Sequence, residues 1–119
     1  MATYAKIVLS GSTDGRGILI DDDATAGKTV HTGSATATTY DEVWIYAANY
    51  DSSDRKLTVE WGSAAAGDII EVTVPTEAGL VLVIPGLIIK GNSSPLVVKA
   101  FAATTSSIQL FGYVNQITA

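Results

Sequence analysis

The fold of this chain is decided by residues 41–62, which read DEVWIYAANYDSSDRKLTVEWG. In residues 43–48 the side chains alternate between two sides of an extended chain, with aliphatic groups on one side and mostly aromatic groups on the other. A polar turn at 51–54 follows, and the alternation resumes over 56–62. Two strands joined by a short turn of Asp and Ser are typical of antiparallel β structure, so we predict a hairpin here.

The same period of two recurs along the rest of the chain. Further strands are predicted over 4–9, 69–74, 79–84, 96–103 and 108–115, and the shorter runs 17–20, 29–32 and 87–90 are candidates for one or two more. Residues 79–84 are apolar on both faces, which predicts a strand covered on both sides, and Pro85 and Gly86 are expected to end it. Eight or nine short antiparallel strands without a helix predict an all-β, single-domain β-sandwich that is jelly-roll-like, with a closed barrel as the alternative. The domain is expected to span 1–119, with 1–16 as a candidate N-terminal arm.

Composition limits both the size and the partners of the protein. The chain has 119 residues, enough for one domain with a real core, and it has no cysteine, which excludes disulfides and thiolate metal sites. The net charge of −5 disfavours nucleic acid as a partner. The longest apolar stretch, 78–89, is interrupted by Gly79, Pro85 and Gly86 and is not expected to cross a membrane. No leader pattern is visible at the start, so synthesis in a cytoplasm is expected.

A search for catalytic chemistry finds little. Residues 24–29, ATAGKT, resemble the end of a phosphate-binding loop, but Asp22 stands where that loop needs its first glycine. We interpret the segment as a turn in which Gly27 supplies a positive φ. His31 is the only histidine, no G-x-S-x-G elbow is present, and a lone imidazole on a strand is usually a packed or surface group. We therefore expect no enzyme activity and no catalytic residue.

Clustered carboxylates are the remaining candidates for a site. Asp21, Asp22 and Asp23 could hold Ca²⁺ with other carboxylates, but their spacing does not match a calcium-binding loop. We expect a solvated or interface-facing loop, no metal and no cofactor. Glycoside hydrolysis by a pair drawn from Glu60, Glu71 and Glu77 stays open, because sequence does not give the separation of the two carboxylates.

Aromatic residues offer a second indication of function. Trp44, Tyr46, Tyr50 and Trp61 lie on or beside two consecutive predicted strands. Two interpretations stay open: an exposed cluster that joins an interface, where Tyr and Trp are enriched, or aromatic side chains packed in the core.

Several stretches resemble a family of small structural proteins encoded by tailed phages. They are residues 6–16 (KIVLSGSTDGR), 41–47 (DEVWIYA), 57–62 (LTVEWG) and 111–115 (FGYVN). Members of this family are virion components of the capsid decoration or cement type. The resemblance implies a β-sandwich, often assembled as a homotrimer, that sits across joints between major capsid protein subunits. It carries over no catalytic residues.

From these indications we expect a capsid decoration or cement protein that stabilises the phage head, made in the host cytoplasm and located on the capsid surface. Its expected partners are the major capsid protein and further copies of itself. The candidate residues for the capsid or self interface are Tyr4, Lys6, Arg16, Asp21, Asp22, Asp23, Trp44, Tyr46, Tyr50 and Arg55. The alternatives are a virion fibre or tail-tip module that binds carbohydrate or a receptor through Trp44, Tyr46 and Trp61, and a small hydrolase on a jelly roll.

Overall fold

A computed structural model describes residues 2–119 and contains nine β-strands. The strands are β1 (Thr3–Val8), β2 (Ile18–Ile20), β3 (Lys28–Thr32), β4 (Thr39–Asn49), β5 (Arg55–Trp61), β6 (Ile69–Val74), β7 (Val81–Lys90), β8 (Val97–Ala102) and β9 (Ile108–Thr118). A single 3₁₀ turn, Ala66–Asp68, precedes β6. In residues 2–119 no helix is long and apolar enough to cross a membrane.

The strands form two antiparallel sheets, as predicted. Sheet A has the order β1-β9-β4-β7, with β2 also paired to β9, and sheet B has the order β3-β8-β5-β6. The pairs β2–β9, β3–β8, β4–β7 and β5–β6 are nested along the chain, as if one long hairpin had been wrapped across two sheets. This nested order is that of a jelly roll, so the predicted fold class is confirmed.

Strand β1 lies outside the eight nested strands. It pairs with residues 113–118 of β9, while β2 pairs with residues 108–110 of the same strand. The candidate arm of residues 1–16 therefore consists of an edge strand followed by a loop, and Met1 lies outside the described residues. Leu9, the residue that follows β1, is fully buried, so this segment also contributes to the core.

The core lies between the two sheets and is built by inward-facing side chains at alternate positions along the strands. Along β4 every second residue from Thr39 to Asn49 is buried, as the period of two predicts. The fully buried aliphatic side chains include Ile20, Val30, Val43, Ile45, Leu57, Val59, Val74, Ile84, Val98, Ile108, Leu110 and Val114. Burial of each such side chain stabilises the fold by about 1.5–3 kcal/mol, and this contribution holds the sheets together without disulfides.

Two details of the packing restrict local substitutions. A Cβ atom on Gly112 of β9 would collide with the backbone carbonyl of Trp44 on β4, so only glycine allows this close approach. The Asn49 side chain donates from Nδ2 to the carbonyls of Ser53 and Val74, at 2.8 and 2.9 Å. These bonds join the β4–β5 turn to the end of β6.

The structure corrects the prediction for residues 79–90. One strand, β7, runs from Val81 to Lys90 through Pro85 and Gly86, and it forms an edge of sheet A instead of a strand covered on both faces. The register against β4 shifts twice, so β7 bulges where Gly86 and Val83 are inserted. Pro85 is tolerated because an edge strand has a neighbour on only one side.

Candidate functional site

The outer face of sheet A, the side turned away from the core, carries an unusual concentration of aromatic and aliphatic side chains. Cross-strand pairing places Trp44 between Tyr113 of β9 and Pro85 of β7, and Tyr46 between Phe111 and Leu82. Directly paired residues of antiparallel strands point to the same side of the sheet. The outer face includes Tyr4, Lys6, Val8, Tyr40, Glu42, Trp44, Tyr46, Ala48, Leu82, Pro85, Ile88, Lys90, Gln109, Phe111, Tyr113, Asn115 and Ile117.

The centre of the outer face is an ordered aromatic platform. The rings of Trp44 and Tyr113 stack with centroids 6.2 Å apart and planes inclined by 10°. The Lys6 ammonium lies 5.2 Å from the Tyr113 ring centre, a cation–π contact. On the other side, Gly86 has a φ of +83° and lies against the Trp44 indole, where a Cβ would come within 2.9 Å of the ring. The glycine bulge in β7 therefore makes room for the tryptophan.

Glu42 fixes the polar edge of this platform. Its Oε1 atom accepts hydrogen bonds from Trp44 Nε1 at 2.7 Å and from Asn115 Nδ2 at 2.9 Å. The bond from the indole, followed by the bond from the amide, holds the pKa of the Glu42 carboxyl below its ordinary value. At neutral pH the carboxylate is ionised and keeps the indole ring in a fixed orientation.

Exposed apolar side chains are also concentrated on this face. Of the seven large hydrophobic side chains that are exposed within residues 2–119, four lie here: Tyr4 (74%), Val8 (45%), Leu82 (46%) and Ile88 (52%). Exposed apolar side chains that lie together on one face commonly mark interaction sites.

The outer face of sheet B differs in chemistry. Its cross-strand pairs place Lys56 beside Thr73, Thr58 beside Glu71 and Phe101, and Glu60 beside Lys99. Lys56 and Glu71 form an ion pair across this surface. Because hydroxyl and charged groups dominate here, the two sides of the sandwich are suited to different partners.

The predicted interface residues separate into three groups in the structure. Tyr4, Lys6, Trp44 and Tyr46 come together on the outer face of sheet A, and Arg16 is exposed in the loop after β1. Asp21, Asp22 and Asp23 lie in the loop between β2 and β3, where Asp21 pairs with Lys28 at 3.7 Å and the Asp22 carbonyl accepts from the Ala102 amide. Tyr50 and Arg55 flank the β4–β5 turn, where Arg55 Nε donates to Asp51 at 2.7 Å.

Sequence analysis did not identify Phe111, Tyr113 and Asn115 as members of the candidate site. The alternation in β9 gave a signal, since these three residues share one side of that strand, but no local pattern pairs β9 with β4. Trp61, considered with Trp44 as a binding platform, lies on sheet B and packs partly buried against the core. The platform therefore contains Tyr113 in place of Trp61.

His31 forms a structural network in the interior. Its Nδ1 atom accepts from the Ser10 backbone amide at 3.0 Å, which places the ring proton on Nε2, and Nε2 donates to Asp41 Oδ2 at 2.8 Å. The other oxygen of Asp41 accepts from Gln116 Nε2 at 3.0 Å. His31 and Asp41 are 2% and 1% exposed, so the pair ties β3 to β4 inside the sandwich and presents no reactive group to solvent.

Glu60 forms the second buried polar cluster. Its carboxylate is 3% exposed and accepts from the Gly27 amide at 2.8 Å and from Thr25 Oγ1 at 3.2 Å. The prediction that Gly27 supplies a positive φ is wrong, because the residues with positive φ do not include it. Glycine is required there because a Cβ would strike the backbone of Ala100, over which the loop passes.

The described residues contain no group of three or more His, Cys, Asp or Glu side chains placed to hold a metal ion. Asp21, Asp22 and Asp23 are thus not gathered with other carboxylates into such a cluster within residues 2–119. A scan against protein-family models finds no match for this chain. A search of curated proteins likewise finds no match.

Proposed function

We propose that this protein is a capsid decoration or cement protein of a tailed phage, which binds the major capsid protein through the outer face of sheet A. The observation that carries the proposal is the exposed aromatic and aliphatic surface centred on the stacked pair Trp44 and Tyr113. An interface of this type gains affinity from buried aromatic anchors and needs neither a deep pocket nor a catalytic group.

The rigidity of the face supports an adhesive role. The Trp44 side chain donates to the Glu42 carboxylate, stacks on the ring of Tyr113 and packs against Gly86. A surface that is ordered before binding loses little side-chain entropy on association, so more of the contact energy appears as affinity. A protein that reinforces joints between subunits benefits from this property.

The resemblance to phage virion proteins supplies the identity of the partner in this proposal. It also supplies the location on the capsid surface and the assembly into a homo-oligomer, a trimer. In the proposed arrangement β1 contributes Tyr4, Lys6 and Val8 to the contact, since these residues extend the outer face along its free edge.

The test is co-sedimentation of the purified protein with phage heads that lack it, followed by imaging of the decorated heads. Ile88→Asp places a charge on the outer face, opposite Glu42, at a residue that is 52% exposed, and urea unfolding checks that the variant is folded. Loss of about 90 Å² of apolar contact would cost about 2 kcal/mol, or about 30-fold in affinity. The matched control is Thr73→Asp, an exposed strand residue of sheet B, for which unchanged binding is expected.

Two results would contradict this proposal. One is equal binding of the wild type and Ile88→Asp to heads. The other is an image that places the protein away from the capsid, for example on a tail fibre.

A carbohydrate-binding or receptor-binding module of a fibre or tail tip is the second candidate. The specific observation in its favour is the platform of Trp44 and Tyr113, which are stacked, half-buried and flanked by the polar groups of Glu42 and Asn115. Flat aromatic faces with adjacent hydrogen-bonding groups suit sugar rings. Binding of neutral glycans that is abolished by Trp44→Ala, with no binding to heads, would favour this candidate.

A further inference from the structure

A groove at one end of the sandwich has a chemistry that the proposed function does not use. It has a volume of about 620 Å³ and lies where β5 and β8 meet the segment between β7 and β8. The lining residues that matter for the argument are Glu60, Lys90, Asn92, Ser94, Leu96 and Lys99. Its volume falls within the range of about 300–1,000 Å³ that small-molecule sites occupy.

Unpaired positive charge is concentrated in this groove. Of the seven lysine and arginine side chains, Lys28, Arg55 and Lys56 form ion pairs with carboxylates. Lys6 lies over the Tyr113 ring. Besides Lys6, the basic side chains without a carboxylate partner in residues 2–119 are Arg16, Lys90 and Lys99, and the last two line the groove. On a chain of net charge −5, this grouping creates a local preference for anions.

Glu60 does not neutralise these lysines through an ion pair. It is the cross-strand partner of Lys99, but its two oxygens accept hydrogen bonds from the loop at Thr25 and Gly27. Each carboxylate oxygen has a further lone pair, so Glu60 can still accept a hydrogen bond from a ligand hydroxyl group. The side chain is thus a fixed acceptor at the wall of the groove.

The remaining lining groups are amphipathic. Asn92 and Ser94 offer an amide and a hydroxyl group, whereas Leu96 and Pro95 form an apolar wall. A ligand that matches this set carries a carboxylate for the lysines, hydroxyl groups for the amide and for Glu60, and an aliphatic ring face for the apolar wall.

We propose that the groove binds an acidic saccharide, with the carboxylate of a uronic-acid-type sugar attracted by Lys90 and Lys99 of its lining and its hydroxyl groups bonded to Glu60 and Asn92. This site is separate from the platform of Trp44 and Tyr113, and it does not depend on the proposed binding to capsids. The protein therefore has two surfaces of different chemistry, an apolar face and an anion-selective groove.

The test is an NMR titration of the ¹⁵N-labelled protein with digalacturonate and with its neutral methyl ester, which has the same sugar rings. We expect shifts of the groove amides with digalacturonate and much weaker shifts with the ester. In Lys90→Gln/Lys99→Gln the dissociation constant should rise about 10-fold, because two exposed charge contacts are lost. Arg16→Gln removes the unpaired cation outside the groove and should leave the constant unchanged. The amide spectrum of each variant confirms that it is folded.

Four outcomes would overturn the inference. They are the absence of digalacturonate binding, equal binding of acid and ester, shifts centred on the Trp44 indole instead of the groove, and full displacement of the sugar by an equal concentration of inorganic phosphate. The third outcome would favour the carbohydrate platform on sheet A, and the fourth would indicate a site for simple anions. None of them bears on binding to phage heads, so this inference and the proposed function fail separately.

Discussion

Replacement of Asp41 or His31 provides a quantitative test of the buried polar network. Asp41→Ala removes the acceptor of His31 Nε2 at 2.8 Å and of Gln116 Nε2 at 3.0 Å. The His31 N–H is then left buried without a partner, since the ring is only 2% exposed. Burial of an N–H group without a partner costs free energy, and the hydrogen bonds to the charged acceptor are lost as well. Together these two effects predict a destabilisation of about 3–5 kcal/mol.

The reciprocal change, His31→Ala, leaves a buried carboxylate with Gln116 as its remaining side-chain donor and should cost a similar amount. The double variant should be less destabilised than the sum of the two single variants by at least about 1.5 kcal/mol, because the second change removes a group that has already lost its partner. Asp41→Asn should cost less than either truncation, about 1–3 kcal/mol, since the amide keeps one of the two acceptor oxygens of the carboxylate.

The assay is urea unfolding followed by tryptophan fluorescence, with the m-value checked for each variant. Asp23→Ala is the matched control, because Asp23 is an exposed aspartate in the β2–β3 loop, and a change within about 0.5 kcal/mol is expected. The milder Asp41→Asn keeps the test informative if a truncation prevents folding. Additive single variants, or a loss below about 1 kcal/mol for Asp41→Ala, would refute the interpretation of a coupled buried pair.

Three further predictions follow from local geometry. Gly112→Ala should destabilise the fold by about 1–3 kcal/mol, because the new methyl group meets a backbone carbonyl of β4 that cannot move alone; unchanged unfolding by urea would contradict this. Asn49→Ala removes two side-chain bonds to backbone carbonyls and should cost about 1–3 kcal/mol in the same assay, with Asn49→Asp also destabilised since it lacks the donor. The pKa of Asp51 is lowered first by the Ser52 amide and then by Arg55, so this interaction contributes stability above the ordinary pKa and loses it as the pH falls through the lowered value. Arg55→Gln should raise the Asp51 pKa part of the way towards its ordinary value in a carboxyl NMR titration, and an unchanged pKa would show that the amide alone causes the shift.

Much of the fold could be predicted because alternation is a local property. In β4 the period of two separated Val43 and Ile45 from Trp44 and Tyr46 before any pairing was known, and the structure buries the aliphatic side. In β5 the alternation was less informative, because Thr58 and Glu60 are buried together with Leu57 and Val59. Turn residues separated the strands, and the number and class of strands followed.

The environment of β7 could not be predicted by the same reasoning. An apolar run such as 81–84 has the same appearance whether a strand is covered on both faces or lies at an edge. Only the position of β7 beside β4, with no second neighbour, leaves Leu82 and Ile88 exposed and allows Pro85 within the strand.

Only part of the candidate site could be predicted, because strand pairing is not visible in the sequence. Trp44 and Tyr46 could be named as a pair because they alternate on one strand. Tyr113 could not be joined to them, since it lies 69 residues away along the chain and reaches Trp44 only through the β4–β9 register.

By itself the sequence determined which side chains of most strands share a side, because successive side chains of an extended backbone point in opposite directions. Only the tertiary structure decided which outward faces lie side by side. That choice brings Trp44 to Tyr113 and places Lys90 and Lys99 in the lining of one groove, and it depends on nested pairing between distant strands, which no short segment encodes.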